Sequence, residues 1–276
     1  MLDALEPAHP IIDAADLTPE RFSALINAHR CLLARNLFSA ADVALLRNAA
    51  FRTYGVYDRA MAAIRAGDPP PTDVGYITAD GFGKSREELA GFRRFGSLVL
   101  GYCPFAMGVV STVLSRNPIK ACVEAHFGQA IGLSLNSSSV RLSEVSNDVR
   151  RVFHQDGSFL GGEDTETINC WIALDDCGVD APGLEVFPQR IDELLPVGGP
   201  GAVTSWEVEE SIAYGRLGAD KAWLPTFKAG DAFVFDHLHL HRTHLTPAMT
   251  RDRFAAECWM FPIKERYRAE FLAWLG

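Results

Sequence analysis

Two stretches of this chain gather side chains that bind metals. Val152-Phe-His-Gln-Asp-Gly157 sets an imidazole and a carboxylate two residues apart, and Asp236-His-Leu-His-Leu-His-Arg-Thr-His244 holds four of the eight histidines. In an extended segment residues i and i+2 project to one face, so His154 and Asp156 can grip one ion from the same side. One imidazole from the downstream run would complete a set of two histidines and one carboxylate. On an unbroken strand His237, His239 and His241 would share a face, so alternation leaves all three as candidates. A His-x-Asp alone equally describes a loop histidine hydrogen-bonded to a neighbouring acid.

Two histidines and a carboxylate on one side of a metal leave three positions open, the arrangement used by non-haem Fe(II) oxygenases. Downstream of the histidines come Arg251 and Arg253, leading into the run FAAECWMF. An arginine projecting into a barrel interior needs an anion to justify its burial.

The elements that must position these residues are short strands. From Ile131 onward, IGLSLNSSSVRLSEV, ETINCWIALDDC, GLEVFP, GAVTSWEV, AWLPTF, DAFVFDHLHLH and FAAECWMFPI are β-branched or aromatic runs, most of them separated by Gly, Pro, Asn or Asp. Many short strands without helices between them predict an antiparallel sandwich or barrel, and hence a mainly β fold with flanking helices. Upstream, CLLARNLF reads as a strand. Ser39 then caps a helix that ends at Gly67, with Val43, Leu46, Ala50 and Tyr54 on its buried face. A second helical zone covers about 104–127, split where Asn117-Pro118 opens a new first turn. KERYRAEFLAWLG reads as a closing amphipathic helix. The expected organisation is one domain over 1–276: a helical part to about 128, a strand-built core over about 129–263, and a helix from about 264.

Composition narrows the partners. A net charge of −9 and a pI near 5.4 give the wrong sign for broad attraction to phosphate backbones or anionic lipid, so neither nucleic acid nor membrane is an expected partner. Arg93-Arg94 and Arg150-Arg151 read as solvated pairs. The six cysteines form no C-x-x-C pair and several sit in apolar runs, which predicts reduced, buried thiols. The acidic start MLDALEPAHPIIDAADLTPE lacks the pattern of a secretory signal, so a cytoplasmic location is expected. Phe95 to Ser115 is uncharged over 21 residues, but Pro104 and three glycines interrupt it. A buried strand leading into a helix near Pro104 explains that run better than a membrane span.

Taken together, these residues resemble the phytanoyl-CoA dioxygenase-like family of Fe(II)/2-oxoglutarate oxygenases. The likeness runs in order through CLLARNLFSAADVALLRNAA, VFHQDG, INCWIALDDCGVDAPGLEVFP and GDAFVFDHLHLHRTHLTPAMTRDR. It implies a double-stranded β-helix core of the jelly-roll or cupin-like kind. It also implies that Fe(II) is held by His154, Asp156 and His241, the last found by counting from Gly230-Asp231. His239 is the rival if Arg251 is the true anchor. The resemblance assigns Arg253 and Thr243 to the far carboxylate of the co-substrate 2-oxoglutarate, with Trp171 lining its pocket. The reaction implied is hydroxylation, or another oxidation, of an unactivated C–H bond of a small molecule by O2, with succinate and CO2 as co-products. Asp156 argues against halogenation, because halogenases of the family leave that position to chloride.

The chain departs from the family at Pro182-Gly183 and Gln189-Arg190-Ile191, beside the substrate mouth. An acyl-CoA substrate is therefore not implied. Arg141, Arg190, Arg242 and Trp206 are candidates to face the substrate, and arginines suit an anionic or amino-acid-like molecule. The alternative is a metal-binding cupin-like isomerase or a non-catalytic jelly-roll binding protein, which would need the histidines but no arginine anchor.

Overall fold

The computed structural model describes residues 9–71, 75–77, 85–263 and 272–275. Its frame is a nine-stranded sheet. The central path runs β1 (Ile11–Asp13), β2 (Cys31–Arg35), β8 (Ala232–Asp236), β6 (Ile168–Ala173), β10 (Arg253–Pro262), β4 (Ile131–Ser134) and β11 (Leu272–Trp274). At one end of β10, β5 (Ser139–Ser143) takes the place of β4, and β3 (Ser97–Val99) pairs with β5. Facing this sheet is a smaller one of β7 (Gly183–Val186) and β9 (His241–His244). Single bridges extend it, Phe153 to Val208, His154 to His241, Val186 to Trp223 and Cys177 to Phe227.

Strand β10 organises the interior because it is buried along nearly its whole length. Its even residues Ala256, Cys258 and Met260 enter the core beneath the helices, which pack on the outer face of the large sheet. These are α1 (Pro19–His29), α2 (Ala40–Ala66), α4 (Pro104–Arg116) and α5 (Pro118–Phe127). Its odd residues Arg253, Ala255, Glu257 and Trp259 are left to the space between the sheets. That space is lined by Trp171, Phe233 and Phe235 from the large sheet and by Leu184 and Val186 from the small one. Outside the small sheet, α7 (Glu210–Leu217) covers Phe153, Phe187 and Leu240.

The expected helices appear where their caps stand. The Ser39 hydroxyl accepts from Asp42 N–H, Gly67 closes α2 in the left-handed region, and Pro104 and Pro118 open α4 and α5. The expected motifs act as staples. Asp231 is buried and accepts from the N–H groups of Asn36 and Lys228 while pairing with Arg35, which fastens β8 to the turn after β2. Gly230 has φ +100°, and a Cβ there would lie 2.5 Å from the Phe38 carbonyl oxygen, so only glycine fits. In the Leu-Asp-Asp turn, Asp175 accepts from Phe254 N–H and Asp176 from Ala229 N–H. All six cysteines are buried and unpaired, and no described helix is long and apolar enough to cross a membrane.

The strands expected at CLLARNLF and before Pro104 appear as β2 and β3, and with β1 they belong to the large sheet. Three expectations change. GAVTSWEV makes one bridge at Val208, because turn residues hold most of it. AWLPTF makes bridges at Trp223 and Phe227 on either side of Pro225, which has no N–H to give. Most of the expected closing helix, 264–271 and 276, lies outside the described residues, and its Leu272–Trp274 instead pair antiparallel with the edge of β4. An open strand edge offers backbone partners that override helical periodicity over so short a stretch.

Candidate metal centre

The histidine-rich run is not one strand. β8 ends at Asp236, whose Oδ1 accepts from Leu238 N–H while Oδ2 holds Arg30, and this turn carries the chain from the large sheet to the small one. His241 then opens β9 beside His154, their backbones exchanging two hydrogen bonds of 3.0 and 3.1 Å. Extended backbone reaches only as far as His154. Asp156 has helical torsions and precedes the short helix α6 (Gly157–Leu160). Gln155, fully buried, donates to the Leu238 and Glu193 carbonyls and accepts from Leu195 N–H, so it clamps the His-Gln-Asp segment to the turn after β8. Gly157 donates to the His237 carbonyl, where a Cβ would come within 3.2 Å of that oxygen.

His154, Asp156 and His241 are the one trio of His, Cys, Asp or Glu among the described residues whose ligand atoms all lie within 4.8 Å of one another. Asp156 Oδ1 stands 3.8 Å from His154 Nε2 and 3.7 Å from His241 Nε2. His154 Nδ1 meets the Val152 carbonyl at 3.1 Å and His241 Nδ1 the His239 carbonyl at 3.0 Å. A carbonyl can only accept, so both Nδ1 atoms carry the proton and both Nε2 lone pairs face Asp156. On the carboxylate, Oδ2 accepts from Trp259 Nε1 at 2.5 Å and Asn169 Nδ2 at 3.3 Å, whereas buried Oδ1 has no partner. Three lone pairs thus converge in a dry place with no hydrogen between them.

Such a place suits a divalent cation. Burial pushes the Asp156 carboxyl up to about 6, and burial drives His154 down to about 3 and His241 to about 4. The imidazoles are therefore neutral near pH 7, as ligands must be. A bound cation would restore the carboxylate its charge partner.

The other histidines of the run are not ligands of this trio. His237 bonds through Nε2 to the Glu163 carbonyl. His244 stands half-buried 3.9 Å from Glu185. His239 is buried between Phe233 and Phe235, its ring parallel to that of His241 and neither of its nitrogens bonded.

Arg253 is fully buried. Its Nη2 donates to Ser143 Oγ and its guanidinium lies 4.8 Å from the Trp171 ring, but Nε and Nη1 have no partner. Burial pushes the group down to about 10. Arg251 sits at the surface in a two-bond pair with Asp180. Trp171, nearly inaccessible, faces the inter-sheet space from β6. Thr243 follows His241 by two residues on β9 and lines a cavity of about 340 Å³ with Arg151 and Asn147. Thr243 and Arg253 share no hydrogen bond. Of the expected substrate-facing residues, Arg190 pairs with Asp192 and Arg242 with Glu185 and Glu210, away from the trio. Trp206 instead packs against His154, 5.1 Å between ring centroids.

Sequence reasoning missed Trp259, Asn169 and Ser143. The signal was strand parity: once Arg253 points inward, so do 255, 257 and 259, and opposite Trp259 stands Asn169.

No family model and no curated protein matches the chain. Solved structures do. SnoK, a non-heme alpha ketoglutarate dependent carbocyclase from nogalamycin biosynthesis, is 15% identical over 90% of this chain and 85% of that one, with a TM-score of 0.57. EctD from S. alaskensis, solved with 2-oxoglutarate and 5-hydroxyectoine, is 17% identical over 94% and 79%, also at 0.57. The non-heme alpha ketoglutarate dependent epimerase SnoN is 16% identical over 88% and 80%, at 0.51. At such identities the likeness is one of fold. The chain has the jelly-roll fold of these iron and 2-oxoglutarate enzymes, with a His-Asp-His cluster suited to a metal.

Proposed function

We propose that the protein is an Fe(II)- and 2-oxoglutarate-dependent oxygenase of the phytanoyl-CoA dioxygenase-like kind, hydroxylating an unactivated C–H bond of a small molecule. The observation that carries this reading is the Arg253 guanidinium, buried with Nε and Nη1 unbonded and no acid paired to it, in the same inter-sheet space as a carboxylate oxygen that has no partner. A metal alone would answer Asp156. An anion would answer the Arg253 charge, and a dicarboxylate that spans from the metal to Arg253 would join the two.

On this reading His154, Asp156 and His241 would hold Fe(II), and the fixed Nδ1–H tautomers leave both Nε2 lone pairs free for it. Trp259 and Asn169 hold the carboxylate through Oδ2, which reserves Oδ1 for the ion. Arg253, steadied by Ser143 and the Trp171 face, takes the far carboxylate of 2-oxoglutarate, with Thr243 beside His241 as a second donor. The apolar walls of Phe233, Phe235, Leu184 and Val186 keep water from the space between. Bound Fe(II), with 2-oxoglutarate and O2, supplies the oxidising power to break the C–H bond, leaving succinate and CO2. A cupin-like isomerase or a binding protein needs the trio but gives Arg253 no role.

Anaerobically purified protein, supplied with Fe(II), 2-oxoglutarate and then O2, is expected to form succinate, faster when a substrate is present. No succinate under any condition, together with no 2-oxoglutarate binding, overturns the proposal.

A further inference from the structure

His154 is bordered by aromatic rings. Trp206 packs on His154, and Phe159 and Phe95 meet Trp206 edge-on at 5.8 and 6.3 Å. Phe159 stands 6.2 Å from His154 and is 42% exposed, an open position for a phenyl ring. The three rings come from unconnected stretches: Phe95 just after α3 (Arg86–Arg94), Phe159 in α6, and Trp206 in the segment before α7. Trp206 and Phe159 meet the metal-binding candidate itself and Phe95 joins them through Trp206, a gathering that only tertiary structure makes.

Cations stand beside them. Arg141 Nη2 donates to the Phe95 carbonyl and Nη1 to Glu257, while its buried Nε has no partner. Half-buried Arg151 lies three residues before His154 and forms no ion pair or hydrogen bond with another described residue. Glu144, the acid whose charge reaches Arg151, is bonded to Arg93. The Arg141 charge bears on Arg151, and both bear on Arg253.

Charge decides what this mouth accepts. When Fe(II), doubly charged 2-oxoglutarate, Asp156, Arg253 and the Arg141–Glu257 pair are taken together, the centre is neutral. Arg151 then stands next to it with no acid bonded to it, the uncommitted carboxylates along the cavities it lines being Asp148 and Glu209. An ammonium group would suit aromatic rings but would meet the Arg151 and Arg141 charges on its way to them. A neutral molecule would leave Arg151 half-buried and unanswered.

Resting on the oxygenase reading above, we propose that the substrate is a flat apolar molecule, aromatic or polyene, bearing one acid group. Phe95, Trp206 and Phe159 hold its body against His154, and Arg151, with Arg141 beside it, takes the acid. Edge and face contacts orient the flat body, and a charge-assisted bond to a guanidinium fixes which end enters first.

Calorimetric titration of the full chain, either with anaerobic Fe(II) and saturating 2-oxoglutarate together or with neither, so that the centre is neutral in both arms, tests this. The probes are naphthalene-2-carboxylate, its carboxamide, naphthalen-2-ylmethylammonium and cyclohexanecarboxylate. The naphthoate is expected to bind at least tenfold more tightly than each of the other three. Arg151→Gln should erase its advantage over the carboxamide, and Trp206→Leu its advantage over the cyclohexane acid. Equal binding of acid and amide, preference for the ammonium, or an Arg151→Gln protein that still prefers the acid overturns the proposal. The titration does not require iron. A naphthoate preference in a protein that binds neither iron nor 2-oxoglutarate would sink the oxygenase reading alone, and the reverse pattern would sink the acid mouth alone.

Discussion

Trp259→Phe isolates the part of the metal site that the sequence did not announce. The ring stays, and the Nε1–H bond to Asp156 Oδ2, 2.5 Å long and almost fully buried, is lost. A hydrogen bond to a charged group contributes about 1.5–3 kcal/mol, so metal affinity should fall about ten- to a hundredfold, in line with the loss typical of groups that support a ligand. The carboxyl, raised to about 6 by burial, loses a bond that lowers it, so the pH at which metal binding is half-maximal should move upward. Anaerobic Fe(II) titration by calorimetry between pH 5.5 and 8, beside a thermal melt that checks folding, measures both. Because Trp259 is a positioning residue, the pH midpoint is the telling quantity. An Fe(II) affinity and a midpoint equal to those of the parent protein would refute the reasoning.

Other perturbations probe the remaining parts. Arg253→Met should weaken 2-oxoglutarate binding about thirtyfold or more, from the roughly 2–5 kcal/mol carried by a buried charge pair. Removing an unpaired buried cation should at the same time raise the melting temperature of the unliganded protein, whereas Arg251→Ala, at an exposed pair, should change neither 2-oxoglutarate binding nor stability by more than about 1 kcal/mol. Metal-free stability, read by denaturant melts, should fall on acidification from about pH 6.5 to 4. His154 and His241, depressed to about 3 and 4, contribute stability that is present above their unfolded value and lost as pH falls. Asp156, raised to about 6, opposes them with stability that is lost as pH rises through 6, but one group is outweighed by two. Gly230→Ala should destabilise by at least about 2 kcal/mol in the same melts, since φ +100° and the Phe38 carbonyl both oppose a Cβ.

Much of the molecule was legible in the chain itself. Ser39, Gly67, Pro104 and Pro118 marked helix ends because capping is a local matter, settled by one or two residues against a few backbone groups. Strand runs such as Ile168–Ala173 and Arg253–Pro262 showed in their β-branched and aromatic texture, and the resemblance pointed to the residues that the fold gathers into one trio. The runs that failed were those where a local pattern met a stronger distant partner. Leu272–Trp274 follow the edge of β4 instead of a helical period, and the histidine run breaks at Asp236 because that carboxylate turns the chain between sheets.

By itself the sequence determined which groups were available: two imidazoles, a carboxylate, an arginine on a strand, and the apolar positions that bury them. Which imidazole joins Asp156, which arginine is buried without an acid paired to it, and which rings border His154 were decided only by the tertiary structure. Those choices depend on register between strands far apart in the chain, as with Asn169 opposite Trp259 or His154 beside His241. Register is fixed by the whole packed core, and a one-residue slip would send each of these side chains to the other face.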